Sequence, residues 1–399
     1  MTATSLPVPV SDVDVFSDDV LTEPYATYRS LREAGPVVRL TSYPIWVLAR
    51  YADVRAAVAD VERFSSAAGV AMLDEMNAMM LGGVLASDPP RHTQLRSVLT
   101  EKLAPRALAK LRAEITERAD ALVAAAVEMG TFDAVMDLCA RLPVDVVADL
   151  IGLPAYGREK LLPGADAIFS TFGPMDARLQ SRMPAAMAYQ QYMASVCDRE
   201  TLAPGSWGAA ILDAVDAGQI ESEAAVPLLN AYLVAGMDTT VNSLGNYVRT
   251  LAERPEVWAA LKADPRLISS GYEENLRMES PVQGFFRSTT EDVDLEGVVV
   301  PAGSRVLLSY ASANRDERHY PEPERFDVHR NPVDHLPFGY GTHGCAGQGL
   351  ARIEAQAIIG SLLRSVDRIE LVDEPVRHYN PVVRGLEHLP VTVTPAREA

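Results

Sequence analysis

Apolar positions recur along most of the chain at helical spacing, and alternating apolar stretches are short and sit near both ends. This pattern predicts a mostly α protein with small β-sheets. Over 36–48, β-branched and aromatic residues flank a Ser42-Tyr43-Pro44 break, which reads as a hairpin, and helical text follows at 51–60. Amphipathic helices are predicted over 91–129, 133–151, 158–172, 178–200 and 206–217. The longest helical pattern, 221–254, is free of proline after Pro227 and stops at Arg254-Pro255. It is apolar on most faces and should therefore be buried. A helix at 265–279, strands around 285–300 and 305–310, a Pro-rich coil at 314–337, a Gly-rich loop at 338–347, a last helix to 366 and terminal strands complete the pattern.

Two stretches break it. Over 65–85, Met72, Met76, Met79 and Met80 interleave with Gly69, Gly82 and Gly83, which predicts a flexible loop lined by methionine or, equally, core filler beneath a long loop. Inside the longest helix, Ala235-Gly236-Met237-Asp238-Thr239-Thr240 places an acid and two hydroxyls where a buried helix should be apolar. Such groups must be satisfied or functional.

Composition narrows the function classes. With 36 Lys+Arg against 54 Asp+Glu the net charge is −18, a field that repels nucleic acid and anionic membrane surfaces. No uninterrupted run of 18 apolar residues appears and the N-terminus does not read as a signal peptide, so a cytoplasmic protein without a membrane anchor is expected. Three widely spaced cysteines, Cys139, Cys197 and Cys345, argue against a disulfide framework. Chains of 399 residues ordinarily divide into domains, yet no linker or composition shift marks a boundary. A single domain over 1–399, with residues 1–20 as a partly flexible tail, calls for one large buried group around which everything packs.

The most specific local signal is Phe338-Gly339-Tyr340-Gly341-Thr342-His343-Gly344-Cys345-Ala346-Gly347. Its glycines allow tight turns and close approach, and a cysteine just before a helix favours the thiolate. A nucleophile would want a matched His partner and zinc would want three or four soft ligands, and neither set stands near Cys345. One thiolate alone suits an iron porphyrin, whose macrocycle supplies the equatorial ligands. Its propionates would need basic partners, for which His92, Arg96, Arg287 and His343 are candidates.

At this point the chain resembles a soluble bacterial cytochrome P-450, a heme-thiolate monooxygenase. The 338–347 loop, Glu274-Asn275-Leu276-Arg277, the arginine-bearing segment Pro323–Arg330 and Ala235–Thr239 match four family motifs in family order. The resemblance implies one mostly helical, triangular domain holding heme b, with Cys345 as axial ligand and O2 as co-substrate. Phe338 would pack at the heme, and the N–H groups of Ala346 and Gly347 would bond the sulfur. Glu274 and Arg277 would form a structural network completed by Arg325 or Arg330. Thr239 would hydrogen-bond bound oxygen, and Asp238 would gate the protons.

Within the family the similarity is greatest to the bacterial branch that oxidises para-substituted benzoates, often by O-demethylation. Phe169, Phe172 and Phe285 would wall a flat pocket, with Val282 and Ala235 near the heme face. That branch holds a carboxylate with arginine and serine residues, whereas the matching positions here are Met79, Gly82, Asn230 and Ala231, all uncharged. A small neutral aromatic, such as a lignin-derived methoxyphenol, is therefore expected as substrate. Benzoate oxidation, a bulkier natural product, a peroxide-driven reaction and a non-catalytic heme sensor are the alternatives. No flavin or nicotinamide fingerprint appears, so a ferredoxin and its reductase are the implied donors. Arg352, Lys102 and Arg106 are the candidate docking cations of a monomeric enzyme.

Overall fold

A computed structural model describes residues 7–397. Helices dominate, and the elements expected from periodicity are present with shifted ends. The longest, Ala225–Glu253, is the central helix, with 19 buried residues along its length. It follows a short 3-10 turn at Ser222–Ala224 and ends where Arg254 leaves helical geometry ahead of Pro255, which in turn occupies the first position of helix Pro255–Ala263. The predicted 91–129 helix divides into Arg91–Thr100 and Pro105–Met129, again with proline opening the second piece. The 133–151 segment divides into a π-helical turn, Ala134–Cys139, and Arg141–Ile151.

The predicted hairpin forms from Val38–Leu40 and Ile45–Leu48, with Val38 opposite Val47. It belongs to a six-stranded sheet ordered Val10–Ser11, Val38–Leu40, Ile45–Leu48, Arg305–Ser309, Gly284–Thr289, Phe64–Ser65. Ile45–Leu48 runs parallel to Arg305–Ser309, so the two ends of the chain meet in one sheet. A second sheet joins Thr131–Asp133, Val366–Leu371 and Pro390–Pro395.

Three expectations need correction. Of the tail placed at 1–20, residues 1–6 lie outside the described residues, but Val10–Ser11 pairs with Arg39 and Leu40, and Val15 and Phe16 are buried against the sheet. The 65–85 stretch is not plain loop: it contains helix Asp74–Ala78, and the buried side chain of Asn77 bonds both N–H and C=O of Ala71 (2.8 and 3.1 Å). Helix Tyr25–Ala34, missed by periodicity, packs Tyr28 and Leu31 into the same apolar cluster as Val38 and Ile45.

Candidate functional site

Cys345 sits three residues ahead of Gln348, where the helix Gln348–Ser365 begins. Its N–H donates to Phe338 O and that of Gly339 donates to Leu336 O, both at 2.7 Å, which closes the loop. Gly339 and Gly341 take φ of +63° and +64°, a region that side chains disfavour. Arg96 reaches across from Arg91–Thr100 to bond Gly344 O. Burial pushes the Cys345 thiol up, opposed by the N–H groups of Gly347 and Gln348 and by the charges of Arg96 and Arg352. The N–H groups that favour the thiolate are thus those of Gly347 and Gln348, so Gly347 keeps its expected role and Ala346 does not. Free N–H groups of a first helical turn point back along the axis toward the sulfur, and Gln348 opens that turn. Ala346 lines the cavity beside Cys345, as does Phe338, whose ring lies under the Arg352 guanidinium at 4.7 Å.

Cys345 opens onto a cavity of about 500 Å³. His92, Arg96, Arg287 and His343 all line it. The His92 and His343 rings meet edge to face at 4.4 Å, and Nε2 of each is buried without a partner. Burial drives the His343 imidazole down to about 3, with Arg287 and His92 adding to the effect. Burial and Arg96 lower His92 in the same direction. Nitrogens crowded this closely, with Asp88 at 3.8 Å from His343 as the one carboxylate paired with them among the described residues, call for acidic groups from a bound molecule.

Across the cavity the central helix presents Ala235, Gly236, Thr239 and Thr240 of its polar insertion, while Asp238 is not among the residues that line it. Asp238 is 3% exposed; its Oδ1 accepts from Asn242 Nδ2 at 3.0 Å, and its Oδ2 is buried without a partner. Burial, with Asp166 adding to it and His378, Asn242 and Arg182 opposing it, lifts this carboxyl to about 7. Those neighbours form a cluster drawn from three other elements. Asp166 Oδ1 bonds His378 Nε2 and Asn380 Nδ2, each at 2.8 Å, and Asp166 Oδ2 meets Arg182 Nε at 2.6 Å, while Arg182 Nη1 is buried and unpartnered. The Thr239 hydroxyl donates to Ala235 O at 2.7 Å, the local bond open to any helical threonine, so its lone pairs and not its hydrogen face the cavity.

Phe169, Phe172 and Phe285 come together, with centroid separations of 5.7 Å for both Phe169–Phe172 and Phe172–Phe285. They line the cavity together with Met79, Ala231, Ala235 and Val282. Gly82 does not: it turns with φ +80° and a Cβ there would touch nothing within 4 Å, while Met80 and Gly83 take up the wall. Behind the cysteine loop, fully buried Glu274 receives Arg277 through Nε and Nη2 (2.8 and 2.9 Å), the N–H of Asp327 (3.0 Å) and Arg330 Nε (3.1 Å). Arg330 therefore completes the network. Arg325 is exposed and pairs with Glu322 and Asp327, because its side chain leaves the turn on the solvent side. Arg352 is likewise not a free surface cation; it forms a two-pronged pair with Glu273 at 2.6 and 2.9 Å. Lys102 is partly exposed and Arg106 exposed.

Sequence reasoning missed Asp166, Arg182 and His378, which carry no local motif. It also missed Glu354, which lines the cavity fully buried with both carboxyl oxygens unpartnered, so that burial raises it to about 8. Asn242 was within reach, since it follows Asp238 at the i+4 spacing that lets the two side chains bond.

Among the described residues no group of three His, Cys, Asp or Glu could hold a metal ion by itself. A lone thiolate facing unpaired nitrogens fits a heme with two propionates, and a cavity of this kind beneath an acid–hydroxyl pair defines a heme-thiolate oxygenase. The cytochrome P-450 family profile matches residues 213–381. The chain is 41% identical to cytochrome P-450 CYP199A2 of Rhodopseudomonas palustris over 98% of its own length and 95% of that protein. It is 35% identical to the monooxygenase PikC of Streptomyces venezuelae, with 98% and 96% covered. The crystal structure of CYP109Q5 from Chondromyces apiculatus superposes with a TM-score of 0.81 at 31% identity, covering 96% of this chain and 99% of that one. The chain belongs to the cytochrome P-450 family. It is a monooxygenase that works with heme held by a cysteine thiolate and with O2 as co-substrate. No helix among the described residues is long and apolar enough to cross a membrane.

Proposed function

We propose that this enzyme oxidises a small uncharged aromatic, removing the methyl group of a methoxy-aromatic such as a methoxyphenol, with electrons from a ferredoxin and its reductase. One observation carries the reading. Among the described residues, those that line the cavity from 79–86, from helices Leu161–Ser170 and Ala177–Val196 and from positions 227–243 of the central helix are all uncharged; Asp166, Arg182 and Asp238 belong to these helices but do not line it. A carboxylate buried against that wall would lack a cation, which costs several kcal/mol (about 2 to 7 for a polar group without a bond, more for a charge).

In this reading Cys345 would hold the heme iron through its thiolate, which the N–H groups of Gly347 and Gln348 favour. His92, Arg96, Arg287 and His343, which line the cavity, would bind the propionates. Heme supplies the chemistry that activates O2. Asp238, raised to about 7, holds a transferable proton at its free oxygen, and Thr239 offers an acceptor toward the cavity. Phe169, Phe172 and Phe285 orient the ring and exclude water. The whole chain, 1–399, acts as one domain in the cytoplasm and as a monomer, and the donor docks near Lys102 and Arg106 rather than at Arg352.

The test is a Soret titration of ferric protein with methoxyphenols and the matching methoxybenzoates. A low-to-high-spin shift confined to the phenols is expected; a shift with the acids alone would reverse the assignment.

A further inference from the structure

The wall that meets the aromatic ring is apolar except at a few points, and those points differ in whether their donors are free. The hydroxyl of Thr171 donates to Ile168 O at 2.6 Å, that of Thr239 to Ala235 O at 2.7 Å and that of Ser243 to Thr240 O at 2.9 Å. Gln190 is exposed on its helix. Asn230 differs from these: it lines the cavity, its Oδ1 accepts from Tyr189 at 2.8 Å, and among the described residues its Nδ2, like Thr240 Oγ1 and Trp207 Nε1 on the same lining, donates to no protein atom.

Tyr189 sets the direction of that amide. The residue is fully buried, and it fits only because the facing helix carries Gly164, where a Cβ would stand 2.3 Å from Tyr189 Cβ. Its hydroxyl has one hydrogen to give, and the carbonyl oxygen of Asn230 takes it. The opposite amide orientation would leave that buried hydrogen without an acceptor. The NH2 group is accordingly turned away from Tyr189. An uncharged N–H donor favours an acceptor oxygen, is indifferent to hydrocarbon, and does not neutralise a carboxylate as a guanidinium would.

We propose that Asn230 determines specificity in this pocket, and that the preferred substrate carries an uncharged hydrogen-bond acceptor, a carbonyl or ether-type oxygen, on the end of the ring remote from the group oxidised. Asn230 lies nine residues before Thr239 on one helix, about 13 Å along its axis. Both residues line the cavity, which therefore spans the distance between them. The inference rests on the neutral-aromatic reading of the cavity and narrows it.

The experiment measures dissociation constants of ferric holoprotein by Soret titration and calorimetry for three ligands of matched shape: para-methoxyacetophenone, para-isopropylanisole and para-methoxybenzoate. Wild type is compared with Asn230→Leu and Tyr189→Phe. The preference for the ketone over the hydrocarbon should shrink about two- to tenfold in Asn230→Leu, the worth of one neutral hydrogen bond. Tyr189→Phe should shrink it too, with isopropylanisole binding unchanged, which shows that the pocket is intact. An unaltered ketone preference in Asn230→Leu, with the benzoate still weak, overturns the role of Asn230 and leaves the neutral pocket standing. Tightest binding of the benzoate, or no response to any of the three, overturns the pocket reading and the proposal together.

Discussion

Replacing Asp238 by Asn tests the proton-holding role through a quantity that no activity assay can confound. Burial raises the folded-state carboxyl to about 7, against about 3.9 in an unfolded chain. Between those values the folded protein keeps a proton that the unfolded chain has released, so stability falls as pH rises. The stabilisation is complete below about pH 4 and is lost as pH climbs through about 7. From pH 5 to pH 8 the wild type should lose about 3 kcal/mol that the amide variant keeps. At about 2.1 cal/mol/K per residue, unfolding this chain carries about 0.8 kcal/mol/K of entropy, so the variant should gain about 3 °C in Tm on the wild type over that range. The difference between the two proteins cancels titrating groups that are not coupled to Asp238, Glu354 included, and retains only the coupling to the Asp166 and His378 cluster. Thermal unfolding of both ferric proteins at the two pH values is the assay. Parallel shifts, or a gap that moves in favour of the wild type as pH rises, would show that Asp238 is ionised throughout and holds no proton to deliver.

Two further outcomes follow from the geometry. Glu274→Gln leaves the fully buried Arg277 and the largely buried Arg330 without their carboxylate, a loss of about 3 to 5 kcal/mol that should lower Tm by about 4 to 6 °C, while Arg325→Ala, at an exposed pair, should leave Tm unchanged; equal effects would mean the network is misassigned. Thr239→Ala removes the acceptor facing the cavity and should divert electrons from product to peroxide, measured as peroxide formed per electron pair consumed; unchanged coupling would remove Thr239 from the proton path.

What could be read in advance depended on how far apart in the chain the interacting residues lie. Glu274 and Arg277 are one turn apart on a helix, so their pairing was visible from spacing. The choice between Arg325 and Arg330 was not, since both lie about fifty residues away and five residues apart on an irregular turn, and only Arg330 points inward. Cys345 was legible because its loop needs glycine at defined places. The identity of its second N–H partner turned on where the following helix begins, an end that periodicity does not fix. Gly82 was misplaced for the same reason. A short helix at Asp74–Ala78 alters the register of the loop that follows it.

The polar insertion in the central helix shows where sequence reasoning stops. Asp238 and Asn242 satisfy half of the carboxyl locally, four residues apart, and that half could have been anticipated. The other half is governed by Asp166, Arg182 and His378, the last 140 positions further along the chain, and none of them belongs to a motif. Tyr189 and Asn230 repeat the arrangement: two ordinary helical residues acquire meaning only because Gly164 lets two helices approach. In both places the reactive part of the site sits on residues the motifs reveal, and its tuning sits on residues that only packing brings near. The family's chemistry is therefore written locally, whereas proton affinity and substrate preference depend on contacts between distant segments, and those are the properties in which two members of one family can differ most.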